Sequence, residues 1–519
     1  MRTALVLALA TGFVVGQAPR ADRDGPPSRR VVFTEDIAPI VFQNCTSCHR
    51  AGQGAPFPLE TYRQTRRRAR MIARVTESRF MPPWHPVEGH GEFVGAMRLS
   101  DAEIALFDQW VKDGMREGDP DKLPPMPDFP DGWQLGEPDL VVQMPKGYTV
   151  PAGGPDIYRN FVVPLDLEEE QWLAAIEVRP SARTVLHHII FDLDRDGSAK
   201  RSDGRDGQPG FGGMTSAARG SRDSGTAGLG GWAVGGQASR LPMGLARRLP
   251  PNTDLILRSH FHPSGKEEVE QTTLGLYFAD EPPTREMVGL QLPPLFGIAA
   301  GLDIPPGEAN FLLEDSFTLP VDALALTVGG HAHYLCREMQ IFATPPDGER
   351  ESIFFIDDWA FNWQNRYQYL EPVELAKGTK IDARIRYDNS ADNANNPSDP
   401  PKRVRWGQQS EEEMGSITLL LVAKDESERR KLQQAIRSHS RGSMRGEGAV
   451  SGFTSAILSQ IKMMDANQDG KIDQSEMPRR FRRWMGAFDT NGDGVLDEEE
   501  LDNASQGSLR RGGRNRRDR

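Results

Sequence analysis

Six of the ten histidines of this 519-residue chain fall into three pairs: His187-His188, His260-Phe-His262 and His331-Ala-His333. Each pair sits in a short run of β-branched or aromatic residues. Residues two apart on a strand share a face, so an H-x-H pair offers both imidazoles to one ion. Adjacent residues point to opposite faces, so His187 and His188 can join one ion only where the strand is bulged or ends. The chain must therefore fold so that several strands deliver imidazoles to shared points. Thiolate-free imidazole sites suit copper, zinc, nickel or iron, and a thioether joining two imidazoles shifts the balance towards copper.

The runs around these pairs (Phe161-Val-Val-Pro, Val185-Leu-His-His-Ile-Ile-Phe, Leu255-Ile-Leu-Arg and Ile417-Thr-Leu-Leu-Leu-Val) are separated by turn signals from about Asp139 to Lys424, a pattern that predicts all-β sandwiches. Glycine and proline, 52 and 39 residues, agree with a turn-rich β protein. The stretch exceeds what one sandwich needs, so two are expected, over residues 136–282 and 283–424. The Gly/Ser/Arg-rich segment Asp194–Arg240 is predicted to be a long surface loop. Three cysteines exclude a disulfide framework. A formal charge of −12 gives the chain no nucleic-acid footprint.

At the N-terminus, Arg2 precedes an apolar run from Ala4 to Val15 that ends in small residues at Gly16 and Ala18. This is the pattern of a secretory signal peptide over residues 1–18, with an N-terminal strand or anchor as the other reading. No later segment is long and apolar enough to span a bilayer. The expectation is an exported protein, periplasmic or secreted, without a membrane span.

Cys45-Thr-Ser-Cys48-His49 is the C-x-x-C-H attachment signature of c-type haem. On one helical turn the two thiols reach the haem vinyl groups and the imidazole reaches the iron. A capping box, Ser100 with Glu103, opens a helix with Ile104, Phe107, Trp110 and Val111 at helical spacing. The stretch 31–118 resembles class I c-type cytochromes, which implies a small all-α haem domain. Met81, in Arg79-Phe-Met-Pro-Pro-Trp84, is the foremost candidate for the sixth ligand; His85, His90 and Met97 are rivals. A Pro-rich linker, 119–135, follows.

The β region resembles the copper type II, ascorbate-dependent monooxygenases, the family of peptidylglycine α-hydroxylating monooxygenase and dopamine β-monooxygenase. The stretches that carry the likeness are Thr184-Val-Leu-His-His-Ile-Ile-Phe, Leu255-Ile-Leu-Arg-Ser-His-Phe-His-Pro, Gly330-His-Ala-His-Tyr-Leu and Ser410-Glu-Glu-Glu-Met414, in the family's order over about residues 136–424. The resemblance implies two jelly-roll domains with one copper each. It implies that His187, His188 and His260 hold an electron-storing copper, with His262 as an alternative to His260. It further implies that His331, His333 and Met414 hold the copper at which dioxygen and an organic substrate meet. Two departures are visible. Only Cys336 is left of the family's cysteines, a thiol expected to be buried close to the second copper. Gly329, Ser416 and Thr418 stand where the peptide-amidating branch has Arg, Asn and Tyr, so peptide amidation is not expected.

Asp465, Asn467, Asp469, Lys471, Asp473 and Glu476 occupy positions 1, 3, 5, 7, 9 and 12 of an EF-hand loop, with Gly470 at its tight turn. Asp489, Asn491, Asp493, Val495, Asp497 and Glu500 repeat the pattern around Gly494. Two calcium ions are expected in residues 453–505, after a linker at 425–452. Twelve residues separate the loops, so one helix near Arg479–Phe488 must serve both, which favours a structural or docking role over an opening motion. The Arg-rich tail, 506–519, is a solvated end or an anion-binding segment.

The architecture expected is thus multidomain: a small all-α cytochrome c domain, two all-β jelly-roll sandwiches and a small α-helical EF-hand pair. The expected function is copper-dependent monooxygenation of an organic substrate, with electrons from its own haem or an external donor. A non-catalytic electron-transfer or copper-binding protein is the alternative.

Overall fold

The computed structural model describes residues 29–505, apart from 52–54, 130–131, 155, 213–228, 234–235, 237, 243, 463, 465–468, 478–481, 483–484 and 486–487. The signal-peptide reading, Asp465, Asn467, most of the helix expected between the two loops, and the basic tail lie outside the described residues. The chain divides into two units.

The smaller unit comprises residues up to Ala51, Phe57–Met81 and Leu99–Pro127. Among its described residues it holds three α-helices: α1 (Ala38–Asn44), α2 (Tyr62–Glu77) and α3 (Asp101–Lys112). Both long helices start at capping boxes, Thr61 with Gln64 and Ser100 with Glu103, each of which satisfies two backbone N–H groups that have no partner within the helix. The apolar face of α3 turns inward as its spacing requires, with Phe107 and Trp110 buried. Phe33 packs its ring 6.0 Å from Trp110 and 5.5 Å from Tyr62, closing a core with Ile37 and Val41.

The larger unit contains Pro82–Arg98 and the chain from Asp128 onward. Its first β-sandwich pairs a four-stranded sheet with a five-stranded one. In sheet order the four are Leu140–Gln143, Thr273–Phe278, Gln171–Arg179 and Arg247–Leu249; the five are Phe211–Gly212, Ile157–Val163, Asp254–Phe261, Leu186–Asp194 and Gly231–Ala233. Phe161, Ile189, Leu257 and Phe261 of one sheet meet Leu173, Leu274 and Leu276 of the other in one core. The second sandwich sets Val288–Leu292, Gly415–Ala423, Ala323–Ala332 and Arg366–Leu375 against Phe311–Thr318, Lys380–Tyr387, Cys336–Thr344 and Glu351–Ile356. Its core includes Val328, Met339, Ile341, Ile385, Tyr387 and Leu419.

Three expectations from the sequence need correction. Residues 82–98, expected inside the haem domain, join the second sandwich. Val87 donates to the Phe355 carbonyl and Val94 to that of Gln368, both at 2.8 Å, and Phe93 is buried against Tyr367 and Tyr369. The predicted loop Asp194–Arg240 supplies edge strands on both sides of the five-stranded sheet, Phe211–Gly212 and Gly231–Ala233. Arg159, buried in that sheet, forks onto Asp206 with bonds of 2.8 and 2.9 Å, which holds the insertion in place. Most of the supposed linker 425–452 is also ordered: α4 (Arg429–Ser443) buries Leu432 and Ile436 in the core of the second sandwich. Farther on come α5 (Glu447–Lys462) and α6 (Glu498–Ser505).

Candidate metal centres

The first histidine group stands on two neighbouring strands of the five-stranded sheet. Leu186 pairs with Phe261 and His188 with His260, so His187 is the extra residue of a β-bulge. The bulge removes the alternation that would send adjacent histidines to opposite faces. One ring nitrogen of each of His187, His188 and His260 lies within 4.8 Å of the other two. The Nδ1 of His188 is 3.1 Å from that of His187 and 3.4 Å from that of His260. Three imidazole lone pairs drawn this close repel one another, and no single proton satisfies all three; a shared cation does. Burial, then the neighbouring rings, pushes the His187 imidazole down to about 3 and His188 well below the usual range, so both are held neutral, the form a metal binds.

His262 stands apart from this group with its side chain 61% exposed. Its Nδ1 lies 2.7 Å from Asp156 Oδ1, while Asp156 Oδ2 sits 3.2 Å from His260 Nε2. Burial alone would raise the Asp156 carboxyl, but the close approach of His260, with hydrogen bonds from Ser410 and His262, holds it far below the usual carboxylate range. Tyr158 stacks on His260 with ring centres 4.3 Å apart.

The second group lies at the end of a ladder in the other sandwich. Ala332 and Gly415 are the last paired residues, and His333 and Met414 follow one step beyond on facing strands. His331 Nδ1 is 2.6 Å from Gln364 Oε1, and His333 Nδ1 is 3.0 Å from the Glu412 carbonyl. Each oxygen accepts a hydrogen bond from Nδ1–H, which keeps the proton on Nδ1 and leaves Nε2 with the lone pair in each ring. Burial pushes the two imidazoles down to about 4 and about 3. The fully buried Glu413 carboxyl accepts from the backbone N–H groups of His333, Leu335 and Met414 at 2.5, 3.0 and 2.9 Å, while burial pushes it up to about 8. Cys336 is buried, and burial raises its thiol well above the ordinary value, so it is an inert packing group.

Both groups line one cavity of about 660 Å³, with His188, His260, His331, His333 and Met414 in its wall. The rings of His188 and His331 come within 6.4 Å, and Phe361 stacks on His187 at 4.7 Å while meeting His333 edge-on at 5.7 Å. Across the ladder from Gly329, where the sequence has no cation, stands Arg366; Arg247 and Arg366 line the same cavity.

In the smaller unit, the Cys45 carbonyl accepts from the N–H of Cys48 at 3.2 Å and of His49 at 2.8 Å, so all three residues share one turn. His49 Nδ1 bonds the Phe57 carbonyl at 2.9 Å, which leaves the lone pair on Nε2. Burial, then the neighbouring Cys48, pushes the Cys45 thiol up to about 12. Of the sixth-ligand candidates, Met81 belongs to this unit, at the end of its segment Phe57–Met81. His85 bonds the Asp358 carbonyl, His90 packs on Phe355, and Met97 lines the cavity of the other unit.

At the C-terminus, Asp489, Asp493 and Glu500 gather their carboxylates within 4.8 Å. Ile472–Asp473 pairs with Val495–Leu496, bringing the two loops together. Of the remaining loop residues, Asp469 and Lys471 flank the Gly470 turn, Asn491 lies at the second loop, and Asp473 caps the backbone of Ser475 and Glu476. Asp497 bonds the Glu500 N–H.

Sequence reasoning missed Asp156, Tyr158, Phe361, Gln364 and the role of Glu412 and Glu413. The Ser410–Met414 run carried a hint, since three consecutive glutamates before a buried methionine need backbone donors. Gln364 and Phe361 have no local pattern; a long connection brings them to the histidines.

Residues 458–481 and 481–503 match the EF hand family, so the C-terminal segment is an EF-hand pair and points to calcium. A comparison with curated proteins returned no match. Among solved structures, a chain from "Structure of infectious bursal disease virus Gx strain" aligns at 7% identity over 55% of this chain and 75% of its own, with a TM-score of 0.15, a likeness that carries no argument. Among the described residues, no helix is long and apolar enough to cross a membrane.

Proposed function

We propose that the protein is an exported copper-dependent monooxygenase. The observation that carries this reading is that two chemically distinct histidine groups, one of three imidazoles and one of two imidazoles beside Met414, line the same cavity. Copper suits both donor sets, and the thioether beside two imidazoles favours its reduced state. When bound, the two coppers would supply one electron each and a place for dioxygen beside the substrate. Overall, one oxygen atom enters a substrate C–H bond, the other leaves as water, and two electrons and two protons are consumed.

The chain's own residues do the rest. Gln364 Oε1 and the Glu412 carbonyl, each accepting a hydrogen bond from Nδ1–H, orient His331 and His333, Asp156 and Tyr158 orient His260, and Phe361 bridges the two groups. Arg247 and Arg366 give the cavity a cationic flank. Cys45, Cys48 and His49, with Met81 as the proposed sixth ligand, would hold a haem, and that haem or an external donor would supply the electrons. Two calcium ions complete the expected metal content.

The deciding experiment is elemental analysis with oxygen uptake across a panel of C–H substrates. Two coppers, one covalent haem and two calcium ions per chain, with substrate-dependent oxygen consumption, are expected; zinc in both histidine groups when copper is available rules the reading out. In stopped flow, a haem that serves as internal donor oxidises at a rate independent of protein concentration. A separate test addresses Asp156. The Asp156→Asn variant is expected to bind copper at the first group roughly 10–100-fold more weakly, as loss of an orienting carboxylate does elsewhere. Competition with a copper chelator measures this, and the His331/His333 group serves as the internal control.

A further inference from the structure

The entering helix of the EF-hand pair is packed into the support of the second histidine group. Small residues of α5 at helical spacing face the sandwich. A Cβ on Gly452 would collide with the Ile298 carbonyl, Ala456 belongs to the sandwich core, and Ser459 is 1% exposed. Ser459 Oγ donates to Glu412 Oε2 at 2.5 Å and accepts from the Gln408 N–H at 3.0 Å. The carbonyl of the same Glu412 accepts a hydrogen bond from His333 Nδ1–H. One residue therefore links the EF-hand helix to an imidazole of the cavity.

A second route reaches His331. Ile298, against which Gly452 packs, lies in the turn Pro294–Ala300, and Phe296 of that turn sets its ring 5.0 Å from His331. Leu458 and Ile461, on either side of Ser459, point the other way into the EF-hand core with Ile472, Leu496 and Leu501. The helix thus has one face on the calcium-binding unit and the other on the loops that hold His331 and His333.

We infer that calcium bound by the EF-hand pair orders the second histidine group, with Ser459 and Glu412 as the positioning residues that transmit it. Without the ion, the carboxylates of Asp489, Asp493 and Glu500 repel one another, which loosens the packing of α5. With it, the helix is fixed and the 408–414 loop is clamped. This rests on the copper reading only insofar as the group so ordered is a copper site. Linkage requires reciprocity: copper at that group tightens calcium by the same factor as calcium tightens copper, on the order of fivefold or more.

The test uses the full chain, first stripped of metals. Calcium chloride is expected to slow amide hydrogen exchange about fivefold or more at Gln408, His333, Leu335 and Met414, while Ile189 and Leu257 in the first sandwich stay unchanged. The Glu500→Gln variant should lose this response together with calcium binding at the second loop. Ser459→Ala should lose the response yet still bind calcium by calorimetry, and Ser459→Thr should restore it. Copper affinity of the His331/His333 group, read by chelator competition and electron paramagnetic resonance, should rise with calcium only in the wild type and in Ser459→Thr. Calcium binding without any change in exchange, an unaltered response in Ser459→Ala, or no calcium binding overturns the inference. A calcium-dependent exchange response in a protein that takes no copper at His331 and His333 upholds the coupling and removes the proposed function.

Discussion

If the wild type takes the two coppers proposed, His260→Ala and His333→Ala are each expected to bind one per chain, and neither variant should consume oxygen with substrate. The two groups share no ligand: His187, His188 and His260 come from the first sandwich, and His331, His333 and Met414 from the second. Each loss should therefore be local. In His260→Ala, the bulged His187-His188 pair keeps two nitrogens, too few to hold copper against a chelator, while the second site stays loaded. In His333→Ala the reverse holds. Met414→Ala is the finer probe. It leaves His331 and His333 in place, so the first copper should still cycle between its oxidation states while oxygen reactivity falls away. Elemental analysis with electron paramagnetic resonance of each variant decides the matter. Loss of both coppers from either single histidine variant would show that the partition of ligands between the sites is wrong.

The metal-free protein should lose stability steeply on mild acidification, and copper should restore it. Burial holds His187 near 3, His331 near 4 and His333 near 3 in the folded chain, against about 6.5 when unfolded. Because the folded values are depressed, the unfolded chain binds more protons throughout the interval from 6.5 down to about 3–4. The stability these neutral rings contribute is complete above pH 6.5 and falls as pH drops through that interval. At pH 5 the loss is roughly 2 kcal/mol per histidine, so three together approach the whole stability of an ordinary domain. Urea midpoints of the stripped protein at pH 7, 6 and 5 measure it. The triple variant His187→Gln, His331→Gln, His333→Gln should show a much flatter pH profile, and an equally steep one would place the acid sensitivity elsewhere. Copper at the proposed sites would bind the neutral rings only in the folded state, so the loaded wild type should resist acid until protons displace the metal.

Much of this molecule is local in its chemistry and therefore legible in one dimension. The C-x-x-C-H turn, the capping box at Ser100, the two twelve-residue loops and the period-2 runs of the strands all depend on residues a few positions apart. The sequence alone determined those elements, the β-rich plan and the candidate histidines. Even there it left a contradiction, because adjacent His187 and His188 on a regular strand cannot face one ion. The bulge that resolves it depends on pairing with a strand about seventy residues away, which no local pattern records.

What only the tertiary structure decided is of that same kind. Residues 82–98 read as part of a helical domain but pack on the second sandwich, because Phe93 finds its apolar neighbours at Tyr367 and Tyr369. The choice of His260 over His262 for the three-imidazole group follows from strand register, which turns one ring inward and leaves the other exposed on Asp156. Gln364, Phe361 and Asp156 reach the histidines, and Ser459 reaches Glu412, only across loops, sheets and a helix. Those contacts arise from burial and register between distant segments, and a linear sequence states neither.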